Sequence, residues 1–381
     1  MKTPAEFDVL IVGAGPAGAC AAKFLADAGA AVALLDAARF PRRKPCAGWL
    51  SIKAVREFPL LDAVRRAAGG APFRRMVFHS PDFSQTAEFA SRATAGYIVR
   101  REKFDAALVR AAARSGAHLF LGQRVAAVET GERAAAAVLA GGRRIAGRIL
   151  IGADGAQSTV ARAAGLRACW SPEQLLVCLS KTIPLTARQR RALGTGAIHV
   201  SLGFGGAPGY AWAFPGTAHV AVGVGVRGGS EHRLKDLYGK WVGGLQAKGL
   251  LPRGAGAAGP EGAVVPAGAA LEFESHVGKR TVLIGDAGGF ASAATGEGIY
   301  PGILSAAIAA GRVLAAIEAD RRGKGVPCQD ELAAFKTLWR QSIAPHLQMP
   351  NVNVAFLLPL IYTNQEIAGR FGRAFLFGQN L

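Results

Sequence analysis

Apolar positions recur on two different periods along this chain, and each change of period marks an element. Residues 9–12 are a continuous apolar run, the pattern of a strand buried on both faces, and they end in Gly13-Ala14-Gly15-Pro16-Ala17-Gly18. An alanine-rich stretch then predicts a helix to about residue 28, and a second apolar run, 31–35, predicts a strand ending at Asp36. Loose alternation over 73–89 predicts a hairpin in a second layer. Phe104, Leu108 and Ala111 recur at helical spacing, with Gly116 as the stop. A strand over 117–121 and three further strands follow, with a turn at Gly141-Gly142. They close on Ile149-Leu-Ile-Gly152-Ala-Asp154-Gly155, and a short helix over 158–164 comes next.

From 175 to 229 the period is that of strands without intervening helices, which predicts a separate antiparallel sheet. Residues 234–249 read as a helix, and 254–268 as a connection rich in glycine, alanine and proline. Thr281-Val-Leu-Ile-Gly285-Asp286 is a second buried strand ending in an acid. A glycine loop leads through Thr295-Gly296-Glu297-Gly298 into a helix over about 299–319, and helices interrupted at Pro345, Pro350 and Pro359 finish the chain. No internal repeat is visible. The first strand begins within about ten residues of the N-terminus, which leaves no room for a signal peptide. No uninterrupted apolar run approaches the roughly 20 residues that cross a bilayer, and the nearest, 354–362, is divided by Pro359.

The glycine turn carries the first chemistry. Gly13 permits the tight turn, Gly15 lets the backbone approach a pyrophosphate, and Gly18 lets the helix lie on the strand. The first helical N–H groups lack internal partners and face the phosphates, and an acid at the next strand end, Asp36, suits a ribose hydroxyl. A strand before the glycines, a helix after them and that acid together predict dinucleotide binding.

Composition narrows the partners. Half of the 381 residues are hydrophobic and 19% are charged, so the chain is globular. Its net charge of +19 suits nucleic acid, an anionic membrane or an acidic protein. The cations are spread, with dense runs only at 39–44 and 188–191, and the aromatics follow no nucleic-acid motif, so a lipid surface or an acidic partner fits better. Five cysteines without a CxxC pair argue for a reducing compartment and against a disulfide framework or a metal site.

Four pieces then stand in order: the glycine turn, Arg101-x-x-Phe104-Asp105, Asp154-Gly155-x-x-Ser158-x-Val160-x-Arg162, and Gly285-Asp286 before Thr295-Gly-Glu-Gly-Ile299. Together, over about 5–320, they resemble the p-hydroxybenzoate hydroxylase-type flavoproteins, which hold FAD without a separate nicotinamide domain. Within that group the chain resembles the geranylgeranyl reductase family. Lys44-Pro45-Cys46-Ala47-Gly48 is similar to its Lys-Pro-Cys-Gly-Gly loop, with Ala47 in place of a glycine and Trp49 added. Pro208-x-Tyr210-x-Trp212-x-Phe214-Pro215 with Gly223-x-Gly225 matches its substrate-domain motif.

The resemblance implies an α/β fold: a Rossmann-like FAD-binding domain, an inserted antiparallel-sheet substrate domain and a helical C-terminal region. The expected division is 1–72, 96–172 and 269–325 for FAD, 73–95 and 173–268 for substrate, and 326–381 for the C-terminal helices. It implies that Gly13, Gly15, Pro16, Ala17 and Gly18 cradle the pyrophosphate and that Asp36 binds the adenosine ribose. Arg101 takes phosphate or ribityl oxygens, Asp154 lies under the phosphates, and Gly285 and Asp286 meet a ribityl hydroxyl. Gly296, Gly298 and Ile299 aim helix N–H groups at the flavin N1/O2 edge. Val125 and the loop residues Lys44, Cys46 and Ala47 complete the implied cofactor contacts.

Tyr210, Trp212 and Phe214 alternate and so share one strand face. With Trp49 and Pro215 they either wall an apolar tunnel for substrate or fill a sheet core. The implied activity is reduction of C=C bonds in an isoprenoid chain, with Cys46 and Tyr210 as candidate acids and NAD(P)H or reduced ferredoxin as donor. Two alternatives stay open: a monooxygenase or halogenase acting on an aromatic or polyketide-like substrate, and a non-catalytic flavin-stabilised module that docks on membranes or acidic proteins. The implied location is cytoplasmic, with peripheral attachment at the inner membrane face as an option.

Overall fold

Strand Phe7–Val12 is buried along its whole length because it has a parallel neighbour on each side, Val32–Asp36 and Arg144–Gly152. The computed structural model describes residues 6–206, 208–255, 259–321, 328–349 and 354–379. They divide into two units. The first comprises Met1–Arg42, Asp105–Ser171 and Pro266–Gln348, and the second Arg43–Phe104, Pro172–Val265 and Met349–Leu381.

The first unit is built on a sheet in the order Val277–Gly278, Thr281–Leu283, Arg144–Gly152, Phe7–Val12, Val32–Asp36, His118–Leu121. Val125–Thr130 and Ala135–Leu139 extend it as an antiparallel pair attached to Arg144–Gly152. Helix Pro16–Asp27 packs against helix Ile299–Arg321, which in turn packs against Cys328–Ser342. The 23-residue helix Ile299–Arg321 is long and apolar enough to cross a membrane, with a mean hydropathy of 1.6 over its most apolar stretch. It is so by length and composition, although Ser305 and Arg312 interrupt its apolar run, so no uninterrupted run of that length occurs in it. Half of that stretch is buried within the fold, and the buried residues of the helix include Ile299, Ile303, Ala306, Val313 and Ile317.

The second unit holds a sheet ordered Glu261–Val265, Leu176–Pro184, His219–Arg227, Gly209–Pro215, Ala197–Leu202, Arg75–His79, Thr86–Ala90. The expected hairpin is there as Arg75–His79 and Thr86–Ala90, and its first strand pairs parallel with Ala197–Leu202. A small sheet of Trp49–Ser51, Gly96–Ile98 and Ala71–Phe73 lies in the same unit. Strand Gly209–Pro215 is buried on both faces. Ala211 and Ala213 pack with Leu237 and Trp241 of helix Leu234–Ala247, whereas Trp212 and Phe214 pack with Ile361, Ala368 and Phe371 of the C-terminal segment.

Two local expectations change. Helix Ala187–Ala192 interrupts the stretch expected to be all strand, started by a capping box in which Thr186 and Gln189 exchange hydrogen bonds. The expected connection 254–268 contains strand Glu261–Val265, which pairs with Leu176–Pro184 at the sheet edge; its residues 256–258 lie outside the described ones. Pro345 and Pro359 each sit in the first turn of a new short helix, where a missing N–H costs nothing. Pro350 and the Cys328 side chain also lie outside the described residues.

Buried histidines give the fold a pH dependence. His79 Nε2 and His199 Nδ1 are 2.9 Å apart, and His199 Nε2 is 2.7 Å from the Leu193 carbonyl. A carbonyl only accepts, so His199 carries its proton on Nε2 and its Nδ1 accepts from His79. Burial pushes His79 down to about 3 and His199 to about 4, and in the same way His219 to about 4 and His276 to about 3. These folded values lie below the unfolded value of 6.5, so the unfolded chain binds more protons in between. Stability is therefore full above pH 6.5 and lost as pH falls toward 4. Denaturant unfolding should show a loss of at least about 2 kcal/mol between pH 7 and pH 5. A stability unchanged over that interval would contradict buried neutral imidazoles.

Candidate functional site

Three chain segments meet at the carboxyl edge of the first unit's sheet, and glycine is what lets them meet. Gly13 has φ +102°, and a Cβ there would lie 2.2 Å from the Ala153 carbonyl oxygen. A Cβ on Gly18 would lie 1.8 Å from the Gly13 carbonyl oxygen. Gly15 is different: its φ of −67° suits any residue, and a Cβ would meet only the Arg42 guanidinium, at 3.7 Å. The space over Gly15 is thus a cradle that a side chain would fill. Gly15 is the N-cap of helix Pro16–Asp27, Pro16 opens the first turn, and no side chain caps it.

The acids around this turn organise backbone. Asp36 accepts from Ala14 N at 2.7 Å with one oxygen and from Ala38 N at 2.8 Å with the other. It thereby fixes the glycine turn, and each oxygen keeps a lone pair for a ribose hydroxyl. Asp154 accepts from the Ser158 hydroxyl and from Thr159 N and Val160 N at 2.7 and 3.1 Å, capping helix Thr159–Ala163. Burial raises its carboxyl above the ordinary value, and these hydrogen bonds oppose the shift. Arg167 stacks on Trp170 at 3.7 Å and donates to the Ala287 carbonyl at 3.0 Å; burial lowers it to about 10 and the Asp154 charge works the other way.

The second glycine-acid turn joins the first through small residues. A Cβ on Gly285 would lie 2.9 Å from the Ala17 Cβ, and one on Gly302 would lie 3.5 Å from Gly285 Cα and 3.7 Å from Ala17 Cβ. The N-termini of Pro16–Asp27 and Ile299–Arg321 are held beside the Gly285–Gly288 turn in this way. Asp286 reaches Gly298, where its Oδ1 would be 3.2 Å from a Cβ. Gly296, at φ +67°, turns the loop that delivers Ile299 to the start of its helix. Val125 is buried at the head of its strand in this unit.

Two supporting residues escaped sequence reasoning. Ser305 accepts from Gly285 N at 3.0 Å and donates to the Gly302 carbonyl at 2.7 Å, clamping turn to helix. A hydroxyl alone on an apolar helix face was the available signal. His276 bonds the Gly288 carbonyl at 2.8 Å, and nothing local in the sequence points to that partner.

The remaining candidates fall in the second unit. Arg101 is half-buried at the start of helix Arg101–Arg114. In the Lys44 to Gly48 loop, Lys44 is exposed and Cys46 and Ala47 are half-buried; Cys46 Sγ accepts from Gly48 N at 3.3 Å. Gly48 has φ +74°, and a Cβ would meet the Val99 carbonyl at 2.2 Å, so the loop's last glycine is required. Trp49 is buried and stacked on Phe375 at 5.5 Å, and Tyr210 meets both Phe375 and Trp212 at 5.5 Å. Phe214 is fully buried and Pro215 ends the strand half-buried. Trp212 lies on its register partner Gly223, where a Cβ would be 2.3 Å from the indole. A Cβ on Gly225 would be 2.9 Å from Cys178 Sγ. Burial pushes the Cys178 thiol up to about 12, with Cys46 adding to the shift.

Comparison with known proteins bears on the cofactor. A family model described as an FAD binding domain matches residues 6–192. A menaquinone reductase of Mycobacterium tuberculosis is 30% identical over 89% of this chain and 86% of its own length. A digeranylgeranylglycerophospholipid reductase of Methanosphaerula palustris is 31% identical over 90% of this chain and 83% of its own. Among solved structures, a geranylgeranyl bacteriochlorophyll reductase-like protein from Thermoplasma acidophilum has a TM-score of 0.75 at 22% identity, over 90% of this chain and 85% of that one. The cofactor is FAD, and the open cradle over Gly15 fits its pyrophosphate.

The two glycines should respond differently to substitution. Gly15→Val keeps an allowed backbone but fills the cradle, so the protein should fold and lose its yellow colour, with FAD affinity down roughly 100-fold or more. Gly13→Ala collides with backbone and should lower the thermal midpoint of the apoprotein as well. Full FAD occupancy in Gly15→Val would place the cofactor elsewhere.

Proposed function

The chain belongs to the geranylgeranyl reductase family of FAD-dependent oxidoreductases, and on that premise we propose that it saturates isolated C=C bonds of an isoprenoid chain. The observation that carries this reading is the aromatic face of strand Gly209–Pro215. A hydrocarbon chain offers no hydrogen bonds, so it is recognised by burial alone, at roughly 0.8 kcal/mol per CH₂. Tyr210 and Phe375, both half-buried and in ring contact, are the part of that face left to meet such a chain, and the buried Trp49 and Trp212 back them from the core. Both relatives described above are named for lipids that carry isoprenoid chains, which supports the same substrate class.

When bound and reduced, FAD supplies a hydride equivalent. An unpolarised alkene then needs a proton on its other carbon, and in this proposal the chain's own groups deliver it. Cys46 Sγ–H and Tyr210 Oη–H are the candidates. The Gly48 N–H aimed at Cys46 Sγ would stabilise the thiolate left after proton transfer. The Tyr210 ring is held by its contacts with Trp212 and Phe375, which fixes where its hydroxyl points. NAD(P)H or reduced ferredoxin is the proposed electron donor.

The test is anaerobic. The reduced protein is mixed with a panel of prenyl compounds, and flavin reoxidation is followed with product mass. We expect one class of prenyl compound to reoxidise it and to gain two hydrogens per double bond reduced. Cys46→Ala or Tyr210→Phe, whichever removes the donor, should slow that step by about 100-fold or more while FAD content stays normal. Unchanged rates in both variants would remove both acid assignments. Reoxidation that requires oxygen and yields a hydroxylated or halogenated aromatic would replace alkene reduction with oxygen chemistry.

A further inference from the structure

One buried ion pair stands against the dinucleotide cradle. Asp105 is fully buried, and its carboxylate lies 3.2 Å from Arg42 Nη2. A carboxylate withdrawn from water needs a cation beside it. The same Arg42 nitrogen lies 3.7 Å from where a Cβ on Gly15 would be. The Phe40 ring supports the guanidinium from another side, 4.9 Å from its central carbon. A guanidinium has five N–H donors, and one carboxylate takes at most two in a bidentate pair, so donors are left over beside the glycine turn.

Other cations of this loop are engaged differently. The Arg39 side chain packs on Gly122, 3.0 Å from a Cβ there, and Arg43 pairs with Glu261 at 2.7 Å. Helix Pro16–Asp27 has no acidic residue in its first turn and no side-chain cap. Its positive end and the Arg42 charge therefore converge on the same space, which favours a doubly charged anion there.

We propose that Asp105 is a positioning residue that holds Arg42 at the mouth of the glycine turn, where the guanidinium binds the diphosphate of FAD. Asp105 and Arg42 then act on cofactor affinity as one unit. The stretch Arg101-x-x-Phe104-Asp105 thus supplies, through its last residue, the anchor for a second arginine.

The test is a double-mutant cycle read by binding. Apoprotein stripped of FAD is titrated with FAD and, separately, with ADP, which carries the diphosphate without the flavin; the apoprotein thermal midpoint is recorded. Arg42→Ala should weaken both ligands about tenfold or more, and Arg42→Lys should recover part of the loss. Asp105→Asn should weaken both to a similar degree. The double variant should be no weaker than Arg42→Ala alone, because Asp105 acts through Arg42. Additive losses in the double variant would make Asp105 merely structural and overturn the proposal, as would unchanged affinity in Arg42→Ala or a loss confined to FAD. If Asp105→Asn does not fold, Asp105→Glu enters the same cycle, since the longer side chain displaces the guanidinium while keeping the charge. Loss of FAD in Gly15→Val with none in Arg42→Ala would leave the cofactor site standing and remove only this inference.

Discussion

The contact between the Gly13 turn and the Ala153 carbonyl constrains everything around it. Strands Phe7–Val12 and Arg144–Gly152 run parallel and in register to Val12 and Gly152, so the two chains leave the sheet side by side. Any side chain at Gly13 would occupy the position of the Ala153 carbonyl. Because that space is closed, the helix that follows can fold back on the turn, with Gly18 against the Gly13 carbonyl. The free N–H groups of the helix then face outward over Gly15, where the backbone is open to a phosphate. The turn at Gly285 reaches the same place from another strand and is held there by Ala17, Gly302 and the Ser305 hydroxyl.

The strand-end carboxylates show a common logic. Asp36 and Asp154 spend hydrogen-bonding capacity on backbone N–H groups, so they shape the turns before they meet any ligand. At the opposite end of the first strand, Asp8 accepts from Ala31 N at 3.0 Å and from Arg321 at 3.0 Å, tying strand, loop and the long helix together. A charge placed where backbone donors converge is stabilised by them and in turn rigidifies the site.

In the second unit the organising principle is size. Trp212 lies flat across strand His219–Arg227 because Gly223 opposite it has no side chain, and the alanines on the other face of Gly209–Pro215 let helix Leu234–Ala247 approach. Trp241 Nε1 donates to the Trp212 carbonyl at 2.8 Å, so the helix is pinned to the aromatic strand as well as packed on it. The motif of alternating aromatics followed by Gly223-x-Gly225 is therefore one packing unit of large residues set on small ones.

The sequence by itself determined the parts whose physics is local. Glycine spacing, the apolar runs of the parallel strands and the helical period after Arg101 each depend on residues a few positions apart. Stereochemistry and hydrogen bonding between near neighbours decide them. The tertiary structure decided what depends on distant segments. The parallel pairing of Arg75–His79 with Ala197–Leu202, the recruitment of Glu261–Val265 to a sheet edge and the His79–His199 contact have no local signature. Nor does the Arg42–Asp105 pair, which joins a loop cation to a buried acid of a later helix. In each of these the partner is chosen by which surfaces lose water together when the chain packs, a choice that no short stretch of sequence contains.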